Sequence, residues 1–196
     1  MSVIAAVRSS SHIIIAADTQ DNFGDQRPPA DNHEAIKLRE VGGAIIGASG
    51  WALYDDIFDH YLAKQRRFRL HDRTSIFDFF VRLWKALHER YSFVNDQPGK
   101  ETDSPFASLD ATFLVASPGG IFLVSSNMSV SQFRQYYAIG SGGDYALGAL
   151  HALQGKEHDP HALAERAVQA AMAYDSSCGG RIETRSVKLG RAPRAK

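Results

Sequence analysis

The sequence predicts an α+β protein built as a four-layer αββα sandwich, two stacked antiparallel sheets each flanked by a pair of helices. Three observations predict it. Short β-branched or alternating runs come in two groups, one at the start of the chain and one in its middle. Each group is followed by two stretches with apolar residues at three- and four-residue spacing, and a single short run closes the chain. A sheet covered by helices on one face must still bury the other, and a second sheet of the same kind does so.

The elements follow in order. Residues 3–8 read as the first strand and residues 12–18 as the second, with Ser9-Ser10-Ser11 as the turn. The run Ile13-Ile14-Ile15-Ala16-Ala17 implies burial on both faces. Asp18 ends that run, so it is either a turn cap or a buried charge in need of a partner. The hairpin returns it to the neighbourhood of Ser2. Residues 19–33 are polar, carry Gly24, Pro28 and Pro29, and read as a loop shaping one side of a cleft. Residues 34–41 alternate as a strand. Lys37 within them either faces solvent or turns inward to Asp18 or another carboxylate, because an unpaired buried ammonium is costly. Gly42-Gly43 reads as a hairpin turn and residues 44–46 as the returning strand. Gly47-Ala48-Ser49-Gly50 then reads as a strand-to-helix junction whose amides can face an oxyanion.

Residues 51–68 and 74–91 have helical spacing, with Thr74 or Ser75 as cap of the second. The stripe Phe77, Phe80, Trp84, Leu87 and Tyr91 reads as core packing, and Lys64, Arg66, Arg67 and Arg69 as a solvated helix end. Residues 95–108 read as an exposed loop. Strands are expected at 111–117, 120–125 and 135–139, helices at 145–153 and 160–174, and a last strand at 181–189. Residues 1–189 thus form one expected domain, and 190–196 a basic, disordered tail.

Composition narrows the function. The chain has 196 residues, 44% of them hydrophobic, enough for a substantial core. Lys+Arg and Asp+Glu balance at 22 each, so no global field draws the protein to nucleic acid or a membrane surface. No apolar run approaches the roughly 18–20 residues that cross a bilayer. The lone Cys178 excludes an internal disulfide, and the eight histidines are scattered, so no metal or cofactor is expected. With no signal peptide, this chemistry suits the cytoplasm.

The opening supplies a candidate reaction. Met1 is followed by a small hydroxyl residue, which a methionine aminopeptidase accepts. Removal of Met1 would leave Ser2 with a free α-amine beside its own hydroxyl, base and nucleophile in one residue. Such an amine ordinarily titrates near about 7.7–8.0, so part of it is neutral at pH 7.

Three stretches carry a family resemblance. The run from Ala138 through Gly140-Ser141-Gly142-Gly143 to Ala149, the opening from Ser2 to Arg8, and Ile15-Ala16-Ala17-Asp18 resemble the proteasome β-subunit family of N-terminal-nucleophile hydrolases, HslV among them. The likeness spans nearly the whole chain and is greatest to proteobacterial proteasome homologues outside both HslV and Anbu. It implies the Ntn-hydrolase fold and a peptidase that cleaves by acyl transfer. By position it implies Ser2 as nucleophile, Asp18 and Lys37 as the pair beside it, Gly47 as the oxyanion amide, and Ser141 and Asp175 as supports of the terminal amine. Cys178 falls where relatives carry Ser, Ser2 where most carry Thr, and the segment between Asp18 and Lys37 is longer than usual. The resemblance also implies homo-oligomeric rings enclosing a chamber for peptide or unfolded protein, two heptamers first and two hexamers second, and leaves open an unidentified ATPase partner. An amidase or peptide ligase on the same fold, or an inactive ring-forming homologue, are the alternatives.

Overall fold

The computed structural model describes residues 2–64, 68–91, 109 and 111–190. Its elements are β1 (Ile4–Arg8), β2 (His12–Asp18), β3 (Leu38–Val41), β4 (Ala44–Gly50), α1 (Leu53–Lys64), α2 (Arg73–Arg90), β5 (Ala111–Ser117), β6 (Gly120–Val124), β7 (Val130–Phe133), β8 (Tyr136–Ile139), α3 (Gly143–Leu153), α4 (Pro160–Tyr174) and β9 (Ile182–Lys188). Every strand pairing is antiparallel, in two sheets ordered β8-β1-β2-β9 and β3-β4-β5-β6-β7.

The period-2 rule explains the layering. Along β1 and β2, Ile4, Ala6, Ile13, Ile15 and Ala17 point to the second sheet, where they meet Leu38, Ile45, Leu114 and Ala116. Val3, Ala5, Val7, Ile14 and Ala16 point the other way, against Leu150, Ala164, Ala167 and Ala171 of α3 and α4. In β5, Phe113 and Val115 face away from the first sheet and pack with Phe58, Phe79 and Phe80 of α1 and α2. Three apolar layers therefore separate four structural ones, as expected for the αββα sandwich.

Several expected boundaries move. The strand expected over 34–41 begins only at Leu38, although the Lys37 carbonyl still accepts a bond from the Ala48 amide at 3.4 Å. Its partner β4 continues to Gly50, so Gly47 lies inside a strand and not at a junction. The second helix is capped by Asp72: its carboxylate accepts from the Ser75 amide at 2.8 Å, and the Ser75 hydroxyl closes the capping box. The buried stripe of α2 runs through Ile76, Phe80, Leu83 and Leu87, which leaves Phe77 exposed. Strand β7, unexpected from the sequence, is a short edge strand with Ser131 and Gln132 exposed at its centre. Gly42 and Gly43 both have positive φ, the backbone a two-residue hairpin needs. The expected loop at 95–108 and residues 191–196 of the expected tail lie outside the described residues. Among those described, no helix is long and apolar enough to cross a membrane.

Candidate active site

Pairing of β1 with both β2 and β8 brings the chain start against two other segments. Ile4 pairs with Ala17 and with Ile139, so Ser2 and Val3 run on to meet Asp18 on one side and the loop after β8 on the other. The Val3 amide donates to Asp18 Oδ1 at 2.9 Å, and the Asp18 amide donates to the Val3 carbonyl at 3.2 Å.

The loop Gly140-Ser141-Gly142 holds Ser2. The Gly142 amide donates to the Ser2 carbonyl at 3.3 Å. The Ser2 nitrogen donates to Ser141 Oγ at 3.3 Å. Gly140 has φ +97°, and a Cβ placed on it would lie 2.0 Å from the Ser2 carbonyl oxygen. The glycine is therefore required twice, for conformation and for approach. Gly140→Ala is expected to cost about 1–3 kcal/mol, seen as a lower Tm, and to displace Ser2.

Asp18 and Lys37 are brought together. Lys37 Nζ lies 2.8 Å from Asp18 Oδ1, with Lys37 3% exposed and Asp18 fully buried. Oδ2 of Asp18 accepts from the Gly179 amide at 3.0 Å and the Gln20 amide at 3.4 Å. Four donors thus converge on one carboxylate and fix the ammonium beside Ser2. Lys37 and Ser2 line the same cavity, about 380 Å³, together with Ala48, Gly50 and Trp51.

The oxyanion amide expected at Gly47 is not directed into this cavity. Amides alternate along a strand, and that of Ala48 points to Lys37 on the β3 side. The Gly47 amide therefore points to β5, where Gly47 pairs with Leu114. Its Cα faces the inter-sheet core, with Ile4 and Leu38 within 3.1 Å of a would-be Cβ. The amide of Gly50 returns to the Lys37 side, past the end of β3, and Gly50 lines the cavity.

Asp175 closes α4 on the far side of Ser141. Burial raises its carboxyl, but hydrogen bonds from the Ser141 hydroxyl, the Ser177 amide and the Cys178 thiol outweigh this and hold it below the ordinary value. Cys178 Sγ donates to Asp175 Oδ2 at 3.3 Å and sits 4.0 Å from Ser141 Oγ. Burial, then the nearby Asp18 and Asp175 charges, push the thiol up to about 12. Cys178 is thus a buried neutral donor in the chain that supports Ser141. It is expected to resist maleimide at pH 8 in the folded protein and to react once denatured, as quantitative thiol labelling would report.

Other residues of the site were not singled out from the sequence. Gln20 and Asn22 tie the loop after β2 to the carbonyls of Ser176 and Ser177 at 3.1 and 3.0 Å. Gly179 supplies an amide to Asp18, and Asp21, Trp51 and Asp55 form the cavity wall. The Gly179-Gly180 pair was a signal of close backbone approach. Nothing in the spacing marks Asp55.

Two stacked antiparallel sheets between helix pairs, with Ser2 ahead of the interior strand β1 and lining a cavity with Lys37, define the class of N-terminal-nucleophile hydrolases. The chain belongs to the HslV family of proteasome-type proteases: it is 32% identical over 172 residues, 86% of each chain, to the ATP-dependent protease subunit HslV of Petrotoga mobilis. Among solved structures it is similar to Thiobacillus denitrificans BPH, at 30% identity and TM-score 0.84 over 97% of this chain and 100% of that one. BPH in complex with epoxomicin is similar at 31% identity and TM-score 0.83, over 96% of this chain and 99% of that one. HslV of Trypanosoma brucei, at 18% identity and TM-score 0.64 over 95% of this chain and 99% of that one, shares the fold. A scan against family profiles finds no match.

Proposed function

We propose that this chain is the subunit of a self-compartmentalising peptidase whose nucleophile is Ser2, exposed by removal of Met1. One observation carries the reading: Ser2 is fixed by the 140–142 loop in the cavity that also holds the Lys37 ammonium, itself anchored by Asp18. In the full-length chain the Ser2 nitrogen is an amide; after Met1 is lost it is an amine and can act as a base. It then takes the hydroxyl proton as Oγ attacks a peptide carbonyl. The Lys37 charge favours the developing alkoxide. The Gly50 amide, in place of Gly47, is our candidate for the oxyanion donor. The ammonium formed at Ser2 protonates the leaving amine, and water, deprotonated by the same amine, hydrolyses the ester. Ser141, Asp175 and Cys178 orient that nitrogen. Serine lacks the methyl that restricts the hydroxyl rotamer of threonine, so turnover is expected to be slower than with threonine, not absent.

The proposal includes closed rings, two heptamers or alternatively two hexamers; the Petrotoga mobilis relative's name, an ATP-dependent protease subunit, supports an ATPase as the partner that would deliver unfolded protein. The experiment is intact mass, native mass and peptide hydrolysis on one preparation. The reading expects a subunit lighter by one methionine, a ring assembly and cleaved peptides. Joined peptides would indicate a ligase, and retained Met1 without turnover an inactive ring protein.

A further inference from the structure

Two carboxylates, Asp21 and Asp55, stand in the wall of the nucleophile's cavity, and this bears on which peptides fit. Asp21 and Asp55 both line it, with side chains 28% and 34% exposed. The Lys37, Arg39 and His33 side chains near these two carboxylates each have a carboxylate partner. Lys37 is held by Asp18. Arg39, 10% exposed, is held by Asp59 through Nε and Nη2 and donates Nη1 to Asp55 at 2.9 Å and to the Ile36 carbonyl. Arg39 thus meets two carboxylates with one charge and does not line the cavity. His33 meets Asp21 at 3.0 Å.

A second feature suits the same guest. Trp51 lines the cavity and is 58% exposed, an aromatic face left to solvent at the rim. Ala48, Ala52 and Leu53 continue the apolar wall. A long aliphatic stem could lie along these groups with its cation against the indole face and the carboxylates. An acidic first helical turn is ordinary in itself, but α1 has two such residues that differ. Asp56 is exposed, whereas Asp55 lines the cavity.

We propose that Asp55 and Asp21 select a lysine or arginine side chain at the residue whose carbonyl Ser2 attacks. This rests on the peptidase reading above. Burial raises the Asp55 carboxyl to about 6, with Asp21 and Asp59 adding to the rise and Arg39 and Lys37 opposing it. The fold therefore disfavours the ionised form that a substrate cation would favour. Asp55 is faced by Arg39 of β3, Asp59 of its own helix, Asp21 of the loop after β2 with its partner His33, and Lys37 with Asp18 behind it.

The test uses the processed ring and four fluorogenic peptides that differ only in the residue before the cleaved bond: Arg, Lys, Leu or Glu. The proposal expects kcat/KM for Arg and Lys to exceed that for Glu by roughly tenfold or more. It expects the Arg-to-Leu ratio to fall by roughly tenfold in Asp55→Asn, by a smaller factor in Asp21→Asn, and in the wild type as pH drops through about 6. The ratio cancels the protonation of the Ser2 amine, common to all substrates. At pH 8, Asp55→Asn is expected to melt no lower than the wild type, because ionised Asp55 is disfavoured there. Cleavage without a basic preference, or a ratio unchanged in both variants, overturns the selectivity proposal alone. No cleavage of any peptide, with no epoxyketone adduct on Ser2, overturns the peptidase reading and this proposal with it.

Discussion

Ser2→Ala is expected to fold, assemble and lose Met1 as the parent does, and to lose at least about 10⁴-fold in peptide turnover. Alanine is also small enough for Met1 removal, so the variant keeps the terminal amine and deletes one oxygen. Its carbonyl still accepts from the Gly142 amide and its nitrogen still meets Ser141, so the local frame is preserved. Loss of turnover with an unchanged Tm would place the chemistry on the hydroxyl. Turnover at the parent rate would remove Ser2 from the mechanism.

Asp18→Asn is expected to damage stability and turnover together. It leaves the Lys37 ammonium buried without its counter-charge, a change that typically costs about 3–5 kcal/mol. For a chain of this length that corresponds to a Tm lower by roughly 6–20 °C. It also weakens the bonds from Val3, Gly179 and Gln20 that fix the start of β1 and the loop after α4. Pairing Asp18→Asn with Lys37→Met removes both charges and is expected to recover most of the Tm while turnover stays lost. Recovery of turnover in the double variant would show that the pair serves only the fold.

The layering was legible because it depends on periodicity. Continuous apolar runs in residues 3–7 and 13–17 specify two buried faces in the first sheet, and helical spacing in 53–62 and 76–87 supplies the cover of the second. Proximity of Ser2 to Asp18 was legible because a hairpin with a short turn leaves no other register for the two ends. Lys37 was open from the sequence, since a lysine in a short alternating run can face either way; three amides and an ammonium shared by one carboxylate decide its direction. Gly47 shows where spacing fails. Which of successive amides faces a cavity depends on strand parity and on how far the neighbouring strand extends, and β3 begins only at Leu38. The strand β7 was hidden because an edge strand with polar residues at its centre has no apolar alternation to read. Asp55 was hidden for a different reason: the role proposed for it depends on Asp21 and Arg39, which come from a distant loop and strand.

The central claim is that amine and hydroxyl of one residue act together at Ser2. A peptide α′,β′-epoxyketone tests this most directly, because its ketone takes a hydroxyl and its epoxide takes an amine, so a stable double adduct needs both on the same residue. After incubation, mapping by mass spectrometry is expected to find Met1 absent and the whole inhibitor added to the N-terminal peptide at Ser2, with none added in Ser2→Ala. Retention of Met1, or an inhibitor bound elsewhere in the chain, would contradict the account.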